Sequence, residues 1–401
     1  MKIYLSRPGV FSAAGKNAEE LWRSLLNGDQ SGIKRYETFS GSTFFAARID
    51  GSKLTPSSGR FDMKIIRIEE AALDQIGSII EKAKSKYGEK RIAVCVGSCD
   101  NGTEFSLAGH RKYFENGAFP EDYSIEMQGA DYVSTFIAEK YSLKGPVSTF
   151  STACSSSAGA LIKAAELIRS GLCDAAVAGG IDIASDTTLD GFASLEAISG
   201  SITNPFSKNR SGITLGDGAA FFLLSKEPLD KSVPEICLLG YGESCDAHHM
   251  TSPDPSGVGA KKAMEKALSS ANIKPEEVDY INLHGTGTKF NDSMEAMAVD
   301  AVFGAYKVPC STTKPVTGHT LGAAGALELA ICCMAIAENL GKNEAQLPPQ
   351  VWDGAFDEEM PKLNFVNKND SLNHGRIKIC LSNSFAFGGA NACLVIGLGT
   401  E

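Results

Sequence analysis

Four short segments hold residues able to do chemistry. Cys154 lies in Ser151-Thr152-Ala153-Cys154-Ser155-Ser156-Ser157-Ala158-Gly159, where a strand is expected to turn sharply into a helix. A helix N-terminus offers unpaired amides and the positive end of a dipole. A dipole contribution of ~1–2 kcal/mol would lower a thiol pKa from about 8.5 by roughly one unit, with no dedicated base. His284 lies in Asn282-Leu283-His284-Gly285-Thr286-Gly287-Thr288, directly after an expected strand. The carboxyl end of a parallel strand is where α/β proteins place ligands. Neighbouring glycines admit a substrate close to the backbone, and threonines supply hydroxyls. The third segment, Thr313-Lys314-Pro315-Val316-Thr317-Gly318-His319-Thr320, holds a second strand-end histidine with a lysine five positions earlier. A buried lysine needs a carboxylate partner, and Glu328 or Glu295 on the flanking helices could supply it. In the fourth, Ser382 to Asn391, Gly388-Gly389 could bring amides to a reacting carbonyl as an oxyanion hole. Phe385 and Phe387 there read equally as core. Each segment alone has an ordinary structural reading, as a buried thiol, a satisfied histidine or a Gly-rich turn. One cysteine and two histidines, all at strand-to-loop junctions, together point to a thiol enzyme.

The elements that must position these residues alternate between strand and helix. Residues 64–84 carry apolar side chains at Ile65, Ile68, Ala72, Ile76, Ile80 and Ala83, the spacing of one helical face. Further helices are expected at 155–169, 261–271, 293–303 and 325–339. Short apolar runs at 91–97, 175–178, 219–224, 278–283, 377–381 and 392–396 read as strands of an α/β fold. Cys154-Ser155-Ser156-Ser157-Ala158-Gly159-Ala160-Leu161 matches Thr320-Leu321-Gly322-Ala323-Ala324-Gly325-Ala326-Leu327, each after a Ser/Thr-rich segment. Two such units suggest two related halves, 1–227 and 228–401, divided in the polar stretch at 226–231.

The bulk properties narrow the function. The chain has 401 residues, 43% hydrophobic and 21% charged, and a net charge of −10. That charge argues against nucleic acid as the main partner. No apolar run is long enough to span a bilayer, and the apolar start is interrupted too early for a secretory signal, so a cytoplasmic protein is expected. Eleven cysteines without a CxxC pair read as small buried hydrophobes, and the six histidines lack metal-ligand spacing, so no metal is expected. No phosphate loop or complete dinucleotide fingerprint occurs.

Taken together, the four segments resemble the elongating β-ketoacyl-[acyl-carrier-protein] synthases of the thiolase-like superfamily, in the family's order and over nearly the whole chain. The resemblance implies a layered α-β-α-β-α fold of two pseudo-symmetric halves and an acyltransferase that performs decarboxylative condensation. Cys154 would take an acyl group from a carrier protein's phosphopantetheine thiol, the chain itself holding no cofactor. His284 and His319 would stabilise the enolate formed from malonyl carrier protein. The amides of Cys154 and Phe387 would hold the oxyanion, and Lys314 would orient the site, paired with Glu328; Glu295 matches a further acidic position. Thr251, Ser252, Thr286 and Thr288 match positions lining the phosphopantetheine tunnel, with Phe385 beside them. Arg60, Lys64 and Arg67 would dock the acyl carrier protein. A homodimer or a ketosynthase heterodimer is implied. Ala386 replaces a glycine beside the gating phenylalanine, and Asp100 stands where an apolar acyl-pocket residue is typical. These departures, with Lys289-Phe290-Asn291-Asp292 and Leu347-Pro348-Pro349-Gln350-Val351-Trp352-Asp353, look more like ketosynthases of aryl-polyene or related clusters.

Three other readings compete. A thiolase would need a second, late catalytic cysteine, for which Cys393 is placed but set in a strand. A noncatalytic chain-length partner would generally lack the nucleophile. A cysteine hydrolase would need an ordered Cys–His–orienter arrangement, which nothing here provides.

Overall fold

The computed structural model describes residues 1–57, 61–231, 233–368, 370 and 377–399. Fully buried apolar runs form its central strands, as expected where both faces of a sheet are covered. The first half contributes β1 (Ile3–Leu5), β2 (Gly9–Ser12), β3 (Lys34–Glu37), β4 (Thr43–Ala47), β5 (Ile92–Gly97), β6 (Val147–Phe150), β7 (Ala175–Asp182), β8 (Leu215–Gly216) and β9 (Gly218–Ser225). The second contributes β10 (Ile236–Cys245), β11 (Tyr280–Asn282), β12 (Pro309–Ser311), β13 (Asn364–Phe365), β14 (Ile379–Phe385) and β15 (Ala390–Leu398).

Strand order repeats between the halves. One side runs β6-β5-β7-β9-β1 and the other β12-β11-β14-β15-β10, with β13 added at the far edge. Directions repeat too: β5 is parallel to β6 and β7, and β11 to β12 and β14, while β7–β9 and β14–β15 are antiparallel. Antiparallel pairing of β1 with β10, Ile3 opposite Leu238, joins the halves. β3, β4 and β8 form a small separate sheet.

The helices complete the layers. In chain order they are α1 (Ala18–Asn27), α2 (Lys64–Leu73), α3 (Gly77–Tyr87), α4 (Thr103–Asn116), α5 (Tyr132–Tyr141), α6 (Ser156–Arg169), α7 (Asp186–Ser194), α8 (Val258–Ala271), α9 (Lys289–Phe303), α10 (Lys314–Thr317) and α11 (Ala324–Ala337). α6 and α11 touch each other and sandwich between the two half-sheets, α2, α3 and α5 cover the outer face of the first, and α8 packs with α9 on the outer face of the second. α11 is apolar around almost its whole circumference and nearly every residue is buried, as a helix enclosed on all sides must be. Separate apolar clusters fill the central layer and the two outer ones.

Two expectations need correction. The single helix over 64–84 is two, broken at 74–76. There Gln75 turns inward, donating to the carbonyls of Val10 and Lys16 and accepting from the Val10 amide, while Ile76 is fully buried. The internal repeat is real in outline but its register shifts by two residues. A 3₁₀ turn at Ala153–Ser155 leads into α6, and one at Leu321–Ala323 leads into α11. Cys154 therefore corresponds to Gly322, and Ala153 to Leu321, both of which have φ of +51°.

Candidate active site

The thiol is presented by a tight elbow between β6 and α6. Ala153 takes the left-handed conformation that ordinary residues disfavour, which turns the chain within one residue. Serines lock the turn: Ser156 Oγ donates to the Ala153 carbonyl at 2.6 Å and accepts from the Thr152 amide at 2.9 Å, and Ser155 Oγ donates to the Thr152 carbonyl at 3.0 Å. Gly97 at the end of β5 lets α6 begin against the sheet, since a Cβ there would lie 2.2 Å from the Ser157 nitrogen.

His284 follows β11 by two residues. Its amide and that of Gly285 donate to Glu295 at 2.8 and 2.7 Å, and Asn383 Nδ2 donates to the same carboxylate at 3.1 Å. The next turn hangs on Asp292, which accepts from the amides of Thr286 and Gly287. His319 follows α10 after Gly318, and backbone bonds to Thr214 and Gly216 at 2.7 and 3.0 Å hold it in place.

These segments bring their side chains to one point. The donor atoms of Cys154, His284 and His319 all lie within 4.8 Å of one another. His319 Nε2 is 3.0 Å from Cys154 Sγ, and the imidazoles meet edge to face with centroids 5.4 Å apart. Lys314 is buried; its ammonium donates to Glu328 and to the His284 carbonyl, and stands 3.5 Å from His284 Nδ1. An ammonium has no acceptor, so it favours a His284 tautomer with a bare Nδ1 and its proton on Nε2. Glu328, not Glu295, is the partner of Lys314.

Burial dominates the electrostatics. It pushes both histidines well below the ordinary imidazole pKa, with Lys314 pushing the same way, so both are neutral at neutral pH. It also pushes the Cys154 thiol up to about 11, against the lowering effects of Lys314 and of the amides of Phe387 and Cys154. The expected helix-end depression of the thiol pKa is thus outweighed by desolvation. Glu295 and Glu328 are each pushed up to about 7, again by burial first. Three soft donors so close together could meet a metal ion, a grouping invisible in the sequence spacing, but the Lys314 ammonium sets a positive charge against it.

Two cavities meet at Cys154. One of about 430 Å³ leads outward past Thr251, Ser252, Thr286, Thr288 and Phe385, uniting the residues expected along a substrate tunnel. The second, of about 260 Å³, lies behind the thiol beside Cys99, Asp100 and Asp182. Phe387 and Phe192 border both, with ring centroids 5.7 Å apart.

Other expected site residues are placed differently. The amides of Gly388 and Gly389 are bonded to the carbonyls of Met250 and Ala386, so neither is free to hold an oxyanion; the Phe387 amide instead faces the thiol. Lys64 is turned inward, only 12% exposed, and pairs with the buried Asp217 at 2.8 Å, so it offers no charge to a docking partner. Arg67 is held by Asp62 at 2.6 Å, and Arg60 lies outside the described residues. Cys393 is fully buried in β15 opposite Gly242, with burial pushing its thiol far up, which is no setting for a second nucleophile. Sequence reasoning missed Asp182 and gave Asp292 no role. An acid in the first turn of α9 was a usable signal for Asp292, whereas Asp182 reads only as the end of an apolar strand.

Comparison with known proteins agrees over the full length. The models of the β-ketoacyl synthase N-terminal and C-terminal domains match residues 8–229 and 236–347. A Coxiella burnetii protein named 3-oxoacyl-[acyl-carrier-protein] synthase 2 is 33% identical over 98% of both chains. Among solved structures, a chain of the ketosynthase ApeO in complex with its chain length factor ApeC, from Xenorhabdus doucetiae, superposes with a TM-score of 0.90 at 37% identity, covering 99% of this chain and 98% of that one. A chain of the ishigamide ketosynthase/chain length factor gives 0.86 at 27% identity, covering 100% and 99%.

Proposed function

The chain belongs to the β-ketoacyl synthase family, and from that premise we propose how its residues divide the work of condensation. It is a 3-oxoacyl-[acyl-carrier-protein] synthase, an acyltransferase with the thiolase-like fold. The observation that carries the residue assignment is the convergence of Cys154, His284 and His319 where the two cavities join.

An acyl group arrives as a thioester on the phosphopantetheine of an acyl carrier protein, through the tunnel past Thr286 and Thr288. Cys154 Sγ attacks the carbonyl, His319 Nε2 takes the thiol proton across 3.0 Å, and the departing pantetheine sulfur recovers it. The thiol need not ionise beforehand, which suits a pKa near 11. The amides of Cys154 and Phe387 hold the oxyanion. Malonyl carrier protein then loses carbon dioxide, and its enolate oxygen accepts from His284 Nε2 and from His319, whose Nδ1 has no hydrogen-bond partner among the described residues, so that the ring can change tautomer and carry its proton on Nε2 for this step. Neutral imidazoles are suited to this, because their donors strengthen as charge develops. The enolate carbon attacks the Cys154 thioester, the 3-ketoacyl carrier leaves, and the departing thiolate takes a proton from solvent, the one proton that the overall condensation consumes. Lys314, anchored by Glu328, positions His284.

The pathway assignment is narrower. Similarity to two structures of ketosynthases with chain length factors, with the motif departures noted above, supports secondary-metabolite elongation of the aryl-polyene type. It also supports a heterodimer with such a noncatalytic partner over a homodimer. The nucleophile elbow argues that this chain is the catalytic member. We place the two halves at 1–227 and 228–401, and the protein in the cytoplasm; no helix among the described residues is long and apolar enough to cross a membrane.

The test is incubation with acyl and malonyl carrier proteins, following the 3-ketoacyl product by intact mass spectrometry. Product from the wild type, lost at least about 10³-fold in Cys154→Ala, is expected. No product from the chain alone or with a chain-length partner would overturn the assignment.

A further inference from the structure

Exposed apolar side chains gather where the outer cavity opens. Phe290, in the first turn of α9, is 67% exposed, and Leu195, just past α7, is 53% exposed. Both line the cavity of about 430 Å³ that leads to Cys154. Met250, 77% exposed, precedes Thr251 of the same lining, and its carbonyl accepts from the Gly388 amide at 2.7 Å, next to Phe387. Single exposed apolar residues are ordinary on a protein surface. Three of them, from the end of α7, the loop after β10 and the start of α9, around one opening form a patch of the kind that a partner covers.

Charge offers little at this rim. Lys289 and Glu196 line the opening with opposite signs, and Arg210, also there, is buried against Asp357 at 2.5 Å. Lys64 and Arg67, expected to dock a carrier, are already paired with Asp217 and Asp62. With a net charge of −10 the chain draws no acidic partner from a distance. The position of the patch names its occupant. Every acyl and malonyl group reaches Cys154 on an arm rooted in a carrier protein and threaded through this opening, so the carrier's face around the root of that arm lies on the rim. An apolar centre with an aromatic side chain in it and polar groups outside is the anatomy of an interface whose binding energy rests on a few anchors.

We propose that Phe290, Leu195 and Met250 form an apolar docking surface for the acyl carrier protein, with Phe290 as the anchor against an apolar face of the carrier around its phosphopantetheine arm. This rests on the synthase reading above and adds to it how the partner is recognised: by short-range apolar contact and not by a basic patch. Contact with the carrier's own surface is absent when the same thioester is offered on free pantetheine, which separates docking from chemistry.

The experiment is acyl transfer to Cys154 from two donors, an acyl carrier protein and the same acyl group on free pantetheine, in the presence of the chain-length partner where one is required. Intact mass spectrometry reads the second-order rate constant for each, and their ratio is taken within one preparation, independent of its total activity. Phe290→Ser should lower the carrier-to-pantetheine ratio at least about tenfold, the usual loss for a central aromatic anchor. Leu195→Ser and Met250→Ser should each lower it by a smaller factor, about two- to fivefold. Phe290→Leu keeps an apolar side chain and should bring the ratio back to within about threefold of wild type. Raising salt from about 0.05 to about 0.5 M should leave the wild-type ratio within about twofold, whereas docking by exposed charge would weaken several-fold. An unchanged ratio in Phe290→Ser, or a several-fold fall with salt in the wild type, would overturn the proposal and leave the synthase reading intact. A Phe290→Ser chain that keeps its ratio but parts from its chain-length partner on size-exclusion chromatography would put that partner on the rim instead, and likewise overturn it. Failure of the wild type to accept an acyl group from either donor would instead overturn the synthase reading.

Discussion

The two elbows of this molecule are built alike and used differently. Each places a non-glycine residue at φ of +51°, makes one 3₁₀ turn and starts a 14-residue helix in the central layer, although the first follows β6 and the second follows α10. At the first, the residue after the strained one is Cys154, with its sulfur facing both cavities. At the second it is Gly322, packed so closely that a Cβ would lie 2.6 Å from Asp182 Oδ2 and 3.0 Å from the Cys99 amide. The second elbow contributes chemistry only through His319, three residues earlier. A duplicated device has thus been divided, one copy presenting the nucleophile and the other joining the halves while delivering a histidine.

The largest test of that division is the histidine. His319→Leu keeps most of the volume and the backbone bonds to Thr214 and Gly216, but removes an enolate donor and the Cys154 partner at 3.0 Å. Condensation should fall by roughly 10²–10³-fold, the usual loss for a preorganised oxyanion donor. The thermal midpoint should change little. A loss confined to stability would make the second elbow purely structural.

A smaller effect concerns how the pair is kept neutral. Both histidines have pKa values well below 6.5, from burial first and Lys314 second. Activity should therefore hold as pH falls through 6.5, with its acid limb lying lower. The unfolded chain binds those protons below 6.5 and the native one does not. Their contribution to stability is accordingly full above 6.5 and is lost as pH falls towards the native values. In Lys314→Met one depressing charge disappears and burial remains, so the acid limb of condensation should move up towards 6.5. Stability should also drop by about 3–5 kcal/mol, because Glu328 is left buried without its cation. A pH profile unchanged from wild type would remove Lys314 from the tuning of His284.

Sequence reading reached the chemical residues because each is carried by a local pattern marked by glycine, serine or threonine; Cys154 and His284 do follow strands, whereas His319, also expected at a strand end, follows the short helix α10. It misjudged what depends on contacts across the chain. Lys64 reads as an exposed basic residue on a helix start, and only the folded chain brings Asp217 to it. The thiol pKa was argued from one helix end, whereas burial by both halves sets its direction. The repeat was aligned on its Ala/Gly letters, two residues out, because the feature that repeats is a backbone angle that neither Ala153 nor Leu321 announces. Asp182 was invisible for the same reason: its partners lie at 98–99 and 322.

At the second elbow, Gly322→Ala should cost roughly 1–3 kcal/mol, the range for forcing a methyl into a packed interior. The contact is with a carboxylate already held by Ser98 and Cys99, so it has little room to give. Denaturant unfolding would measure it. A neutral result would mean that Asp182 can shift, and with it the wall of the cavity behind the thiol.

The smallest effect is expected at the matching point of the first elbow. Ala153 holds φ of +51° with a Cβ, at a cost of ~1–2 kcal/mol that glycine would not incur. Glycine loses more chain entropy on folding, by roughly 0.5–1 kcal/mol. Ala153→Gly should therefore change stability by between about 0 and about 1.5 kcal/mol, in the stabilising direction. The informative quantity is acyl loading measured alongside it. Ser156 bonds the Ala153 carbonyl and the Thr152 amide, which fixes the turn on both sides of this residue. If the methyl further narrows the directions in which the sulfur can point, its removal should slow loading by a few-fold while stability holds or rises. Loading at the wild-type rate would show that the serines alone aim the thiol, and that the strain shared by the two elbows is a relic of their common build.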